Sequence, residues 1–162
     1  MNSSLSIVYQ RHINAVAQAV ETVSGHLRQR KIINEQIALE DLQAEDLLGM
    51  ETVLFVLHDD PSKTKDQIAD FMKGLTNLYD PLNHLTFSIL CLTTSHITKP
   101  SGFNAEIEDQ LLSRHASAGV GQYLINLENT NEFDSWLHLF LSQCVPSMCQ
   151  IARESRRLCL TP

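Results

Sequence analysis

The chain has 162 residues, 43% of them apolar and 19% charged, and a formal net charge of −7 at pH 7. That length suits one domain with a sound core, and the composition is that of an ordinary soluble globular protein. The negative balance, without a basic stripe carrying interleaved aromatics, argues against nucleic acid as a partner. No apolar run reaches membrane-span length and the first residues lack a signal-peptide pattern, so no membrane role and a cytoplasmic location are expected.

The stretch from Leu5 to Val20 organises the rest. Leu5, Ile7, Val8 and Tyr9 predict a short buried strand, broken by the polar run Gln10–Arg11–His12. A helix follows, with Ala15, Val16, Ala19, Val20 and Val23 at helical spacing and Asn14 as its expected cap. A strand turning directly into a helix is the first half of a βαβ unit. In open α/β sheets that turn lies at the carboxyl end of a strand, where ligands bind. The free N–H groups and positive dipole end of the helix favour an anion there.

The helix is expected to turn near His26–Lys31, a basic end that suits its dipole. Gln36–Leu42 alternates apolar and polar residues, as a half-buried or edge strand does, and Leu42–Met50 is an acidic, leucine-rich connection. Thr52–Leu57 is nearly continuous in β-branched and aromatic residues, the pattern of a strand covered on both faces. His58–Asp59–Asp60–Pro61 stops it. Ser62 is the expected cap of a helix whose inner face is Ile68, Ala69, Met72 and Leu75. Asp80–Pro81 marks a turn, and Leu85–Leu92 is a second central strand.

Thr93–Asn104 predicts a long polar loop, and Asn104 opens a helix through Ala118 with Ile107, Leu111 and Leu112 inward. Val120–Leu127 predicts a strand, and Thr130–Gln143 a last helix carrying Phe133, Trp136, Leu137 and Phe140. The alternation implies a parallel sheet with helices on both faces. Residues 1–145 form the expected domain, and 146–162 are a tail or a short docked helix.

Cys91 lies within an apolar run and is expected to be a buried free thiol. Cys144, Cys149 and Cys159 form no C-x-x-C and no zinc-like spacing, so reduced thiols are expected throughout.

Several segments in this order resemble the flavodoxin family. They are SIVY followed by Asn14–Ala17, Leu48–Val56, Ile68–Phe71, Leu85–Leu92 and Phe133–Leu137. The resemblance spans roughly residues 5–143. It implies a three-layer α/β flavodoxin-like fold with a five-stranded parallel sheet. It also implies FMN held by three loops at the strand ends. Carried onto this sequence, the cofactor-binding residues are Gln10, Arg11, His12, Ile13 and Asn14 in the first loop. His58 and Asp59 stand in the second, and Thr93, Thr94, Ser95 and His96 in the third.

All three loops depart from the family pattern. The family's phosphate loop is rich in hydroxyls and contains glycine, whereas QRHIN has neither. Arg11 and His12 are the candidates to replace that nest of N–H groups; the plainer reading makes them polar residues in an exposed turn. Asp59 and Asp60 add negative charge near an anionic cofactor. The third loop, TTSHITKPSG, has no tyrosine or tryptophan to stack on a flavin. FMN binding is therefore expected to be weak or absent.

Other chemistries fare worse. His58–Asp59–Asp60 resembles in composition the acidic pocket of a receiver domain, but such a pair follows the first strand, and here Gln10–Arg11–His12 does. Histidines 12, 58 and 96 would hold a metal only if their loops converged, and exposed loop histidines are the plainer reading. No G-x-S-x-G, H-E-x-x-H or Walker-type glycine loop is present, and no nucleophile stands out. Two functions remain: a divergent flavodoxin-like protein acting through a protein partner or self-association, and an FMN-binding electron carrier.

Overall fold

The computed structural model describes residues 4–58, 61–93, 102–120, 122–126 and 130–143; of residues 4, 61–68, 102, 103 and 130 it describes the backbone alone. In chain order the elements are β1 (Ser4–Tyr9), α1 (Asn14–Gln29), β2 (Ile33–Ala38), β3 (Thr52–His58), α2 (Pro61–Thr76), β4 (Thr86–Thr93), α3 (Gly102–Ser113), β5 (Ser117–Ala118), β6 (Tyr123–Asn126) and α4 (Thr130–Gln143). Short 3₁₀ turns at Leu39–Asp41 and Ala44–Gly49 fill the acidic connection between β2 and β3.

The sheet is parallel throughout its described pairs, in the order β2-β1-β3-β4-β5, with β6 also paired to β4. β5 and β6 are two pieces of one fifth strand. Thr86 and Phe87 pair with Ser117 and Ala118, and Leu90–Thr93 pair with Tyr123–Asn126. Four residues thus stand between the two pieces where β4 has only Ser88 and Ile89, a two-residue bulge. The Ser88 hydroxyl oxygen accepts the Val120 N–H at 3.0 Å, and the Gly119 N–H donates to Phe87 O at 2.7 Å, which holds the bulge in place.

Alternating strand residues feed two cores. Val53, Phe55, Leu57, Phe87, Ile89 and Cys91 pack under α2 and α3 through Phe71, Met72, Leu75, Ile107 and Leu111. Leu5, Ile7, Leu54, Val56, Leu90 and Leu92 pack under α1 and α4 on the other face. Within α4, Trp136 stacks on Phe140 at 5.1 Å and on Phe133 at 6.0 Å. This is the three-layer architecture expected, and Cys91 is a buried free thiol within it. No helix among the described residues is long and apolar enough to cross a membrane.

Local details correct several expectations. β2 spans Ile33–Ala38 rather than Gln36–Leu42, because residues 39–41 coil into a 3₁₀ turn. α3 ends at Ser113, not Ala118, and Leu112 faces solvent, because only Ile107 and Leu111 lie on the stripe that reaches the sheet. Ala69 is likewise exposed, and Phe71 takes the inward position on α2. The strand expected at 120–127 is the shorter β6, since the bulge takes up residues before it. α2 begins at Pro61, a residue suited to a first helical turn where its missing N–H costs nothing. The Ser62 cap, the cysteines at 144, 149 and 159, and the tail all fall outside the described side chains and residues.

Helices α1 and α3 end alike, and neither uses glycine. The Ile32 N–H reaches Leu27 O at 2.9 Å and the Lys31 N–H reaches Arg28 O at 3.0 Å. The Ala116 N–H reaches Leu111 O at 3.1 Å and the His115 N–H reaches Leu112 O at 3.0 Å. These are paired Schellman closures, with Lys31 (φ 60°) and His115 (φ 71°) at the left-handed position that glycine usually fills.

Candidate functional site

The strand order reverses between β1 and β3, which both run toward the same edge with Tyr9 beside Val56. In an open parallel sheet the crevice at such a reversal is the ligand position. β4 and β6 extend the same edge: His58 is beside Leu92, and Thr93 beside Asn126.

Gln10 leaves β1 with its backbone N–H directed to Val56 O at 3.4 Å. Its side chain is buried, and its Oε1 accepts the backbone N–H of His58. One carboxamide therefore joins the first loop to the end of β3 across the crevice. A buried amide with a buried partner is a strong local constraint, because neither group can return to water.

Arg11 follows and points toward β2. Its Nη2 is paired with Asp41 Oδ2, and its Nε lies 3.8 Å from Glu40 Oε2. Both carboxylates belong to the 3₁₀ turn after β2. The pair is partly exposed, with the Arg11 side chain 42% and the Asp41 side chain 60% accessible.

His12 is exposed at φ 66°, the left-handed position that lets the chain reverse from strand to helix in four residues. Ile13 is half-buried against the core of that face and is the residue that precedes the helix. Asn14 does not cap it: it is the first helical residue, exposed, and no side chain caps α1. The structure thus brings Gln10–Asn14, His58 and Thr93 to one edge. His58 and Thr93 are buried there. Asp59, Thr94, Ser95 and His96 lie outside the described residues, and so does the three-histidine convergence. Among the described residues no group of three or more His, Cys, Asp or Glu side chains is placed to hold a metal ion.

Sequence reasoning missed Glu40 and Asp41, which lie 30 residues from Arg11 and meet it only because β2 and β1 are neighbours. The available signal was the acidic LED directly after a strand. It also missed Asn126, which joins the edge at the end of β6 and whose N–H donates to Glu132 Oε2 at 3.1 Å. Asn104, wholly buried near the start of α3, is a further polar side chain inside the fold.

No protein-family model matches this sequence. No curated protein matches it either. Solved structures do. The flavodoxin of Streptococcus pneumoniae superimposes with a TM-score of 0.75 at 15% identity, over 90% of this chain and 99% of that one. Flavodoxin 2 of Bacillus cereus does so with a TM-score of 0.68 at 13% identity, over 86% and 99%. A flavodoxin variant from Fusobacterium nucleatum, bound to flavin mononucleotide, gives 0.69 at 10% identity, over 88% and 95%. With the order β2-β1-β3-β4-β5 and helices on both faces, the chain has a flavodoxin-like fold carried by a strongly divergent sequence.

Proposed function

We propose that this is a divergent flavodoxin-like protein whose FMN site is weakened or lost and which acts through protein contacts. The observation that carries this reading is the pairing of Arg11 with Asp41 and Glu40. Arg11 is the one guanidinium in the first loop, and a phosphate monoester brings nearly two negative charges at neutral pH. An ion pair this exposed is worth about 0–1 kcal/mol, so the pair itself can open. Charge balance is the greater obstacle. A phosphate at Arg11 would share one guanidinium with two carboxylates. No glycine in the loop offers a nest of N–H groups in compensation. The Gln10 bridge to His58 further reduces the loop's freedom to rewrap around a ligand.

A second reading, an FMN-binding electron carrier, has one observation in its favour. The amino end of α1 has no side-chain cap, so its first N–H groups and dipole remain directed at the crevice. In that case Gln10–Asn14 would hold the phosphate, the loops after β3 and β4 would flank the ring, and the redox chemistry would be the flavin's own.

Absorbance of the purified protein and titration with FMN, followed by flavin fluorescence, decide between the two. The first reading expects a colourless protein without saturable quenching at micromolar FMN. It also expects tighter binding in the double variant Glu40→Gln, Asp41→Asn, which removes two negative charges beside Arg11. A yellow protein, with FMN affinity lost on Arg11→Ala, would establish the second.

A further inference from the structure

The two lateral edges of the sheet are built differently. One ends in the broken fifth strand, two residues of β5 and four of β6 around a bulge. Short, bulged edges resist pairing with another chain. The other edge is β2, six residues in unbroken register with β1 and with no further strand beside it among the described residues. Its sequence INEQIA has no proline, glycine or lysine, and Glu35 is its one charged residue. Ile33 is 55% exposed, and Glu35 and Gln36 are exposed as well.

The residues that flank β2 are polarised along the strand. Arg28, Arg30 and Lys31 precede it, Glu40 and Asp41 follow it, and all five are exposed. An antiparallel approach of β2 from a second copy sets the cationic end of each strand against the acidic end of the other, twice by symmetry. A parallel approach would set like charges together. Centring the pairing on Gln36 sets Asn34 opposite Ala38 of the partner subunit, and it brings Lys31, in the turn before the strand, to the same end of the ladder as Asp41 of the partner subunit, in the turn after it. Centring it on Glu35 would place two carboxylates face to face, which is unfavourable. Between α1 and this edge runs an open groove of about 580 Å³, lined in part by Ser24, Arg28, Lys31 and Asn34, with room for the side chains of an added strand. Asp41 stays 60% exposed while paired with Arg11, so it keeps a face for a second cation.

We propose that the protein forms a symmetric dimer through antiparallel pairing of its β2 edges, with Lys31 of each copy against Asp41 of the partner subunit. The dimer supplies the contact that the protein-contact reading above calls for, and in that sense it rests on that reading. An isologous contact of this kind closes on itself and leaves the bulged edges outermost.

Sedimentation velocity of the full chain over a range of concentrations tests it. A dimer that dissociates on dilution and weakens in high salt is expected. Lys31→Glu and Asp41→Lys should each weaken it about tenfold or more. Mixing these two variants should restore it, because in the heterodimer both contacts again join opposite charges. Circular dichroism of each variant checks that it is folded. A wild-type protein that stays monomeric throughout overturns the proposal. So does a dimer indifferent to Lys31→Glu, or a mixture of folded variants that remains monomeric. FMN titration of the same samples separates the two ideas. A colourless monomer removes the dimer and leaves the protein-contact reading without this surface, whereas a yellow dimer keeps the dimer and removes that reading.

Discussion

The Gln10 carboxamide oxygen accepts the backbone N–H of His58, a residue 48 positions away, and this bond spans the β1/β3 crevice where the strand order reverses. Both partners are buried. Gln10→Ala removes the acceptor and leaves a buried donor, so a loss of about 1–3 kcal/mol is expected. Urea denaturation should show this as a lower midpoint with an unchanged m-value.

The Arg11–Asp41 pair should behave differently because it is partly solvated. A double-mutant cycle with Arg11→Ala and Asp41→Ala should give a coupling of about 1 kcal/mol or less. That coupling should shrink when the cycle is repeated at high ionic strength. The contrast with Gln10 separates a bond that holds the loop from one that sets its charge.

His115 occupies a left-handed position, φ 71°, where a side chain is strained and glycine is not. His115→Gly should stabilise the protein by up to about 1 kcal/mol, since strain relief outweighs the added freedom of the unfolded chain. Thermal unfolding followed by circular dichroism would register a higher midpoint.

Ser88 and Ser142 make hydroxyl hydrogen bonds of similar length in opposite surroundings. Buried Ser88 accepts the Val120 N–H at 3.0 Å, whereas exposed Ser142 donates to Leu139 O at 2.9 Å. Ser88→Ala should cost about 1–2 kcal/mol because the bulge loses its anchor and a buried N–H its acceptor. Ser142→Ala should stay within about 0.5 kcal/mol, as water replaces the lost partner. Chemical denaturation of the two variants side by side tests the difference.

Phe140 is fully buried and stacks on Trp136 beneath the sheet. Phe140→Ala should cost about 3–5 kcal/mol, a large share of the stability of a domain this size. Native-state tryptophan fluorescence should shift as the indole gains solvent, because 162 residues contain one tryptophan.

The layers were legible in the sequence because apolar spacing is local. The run TVLFVL is short, rich in β-branched and aromatic residues and closed by a turn signal, as a strand covered on both faces is, and Phe133, Trp136, Leu137 and Phe140 lie on one helical stripe, so β3 and α4 were placed closely. Where the pattern was short or mixed, its limits slipped. QIALEDL alternates as a strand would, yet residues 39–41 coil because the chain must turn toward β3. Leu112 looked inward by type, but it lies off the stripe shared by Ile107 and Leu111.

The site divides along the same line. The loop's lack of glycine and hydroxyls is a property of five consecutive residues, and the sequence by itself determined it. It also determined the polarity of the β2 flanks, cations before and carboxylates after. Only the tertiary structure decided what Arg11 meets, since Asp41 reaches it by way of the β1–β2 pairing, and that Gln10 turns inward to His58. It alone decided that, among the described residues, β2 is the unbroken outer strand on one side of the sheet and β5/β6 the bulged one on the other. The physical reason is range. Periodicity and turn chemistry act over a few residues and can be read along the chain, whereas ion pairs and strand edges depend on which distant segments the folded sheet makes neighbours.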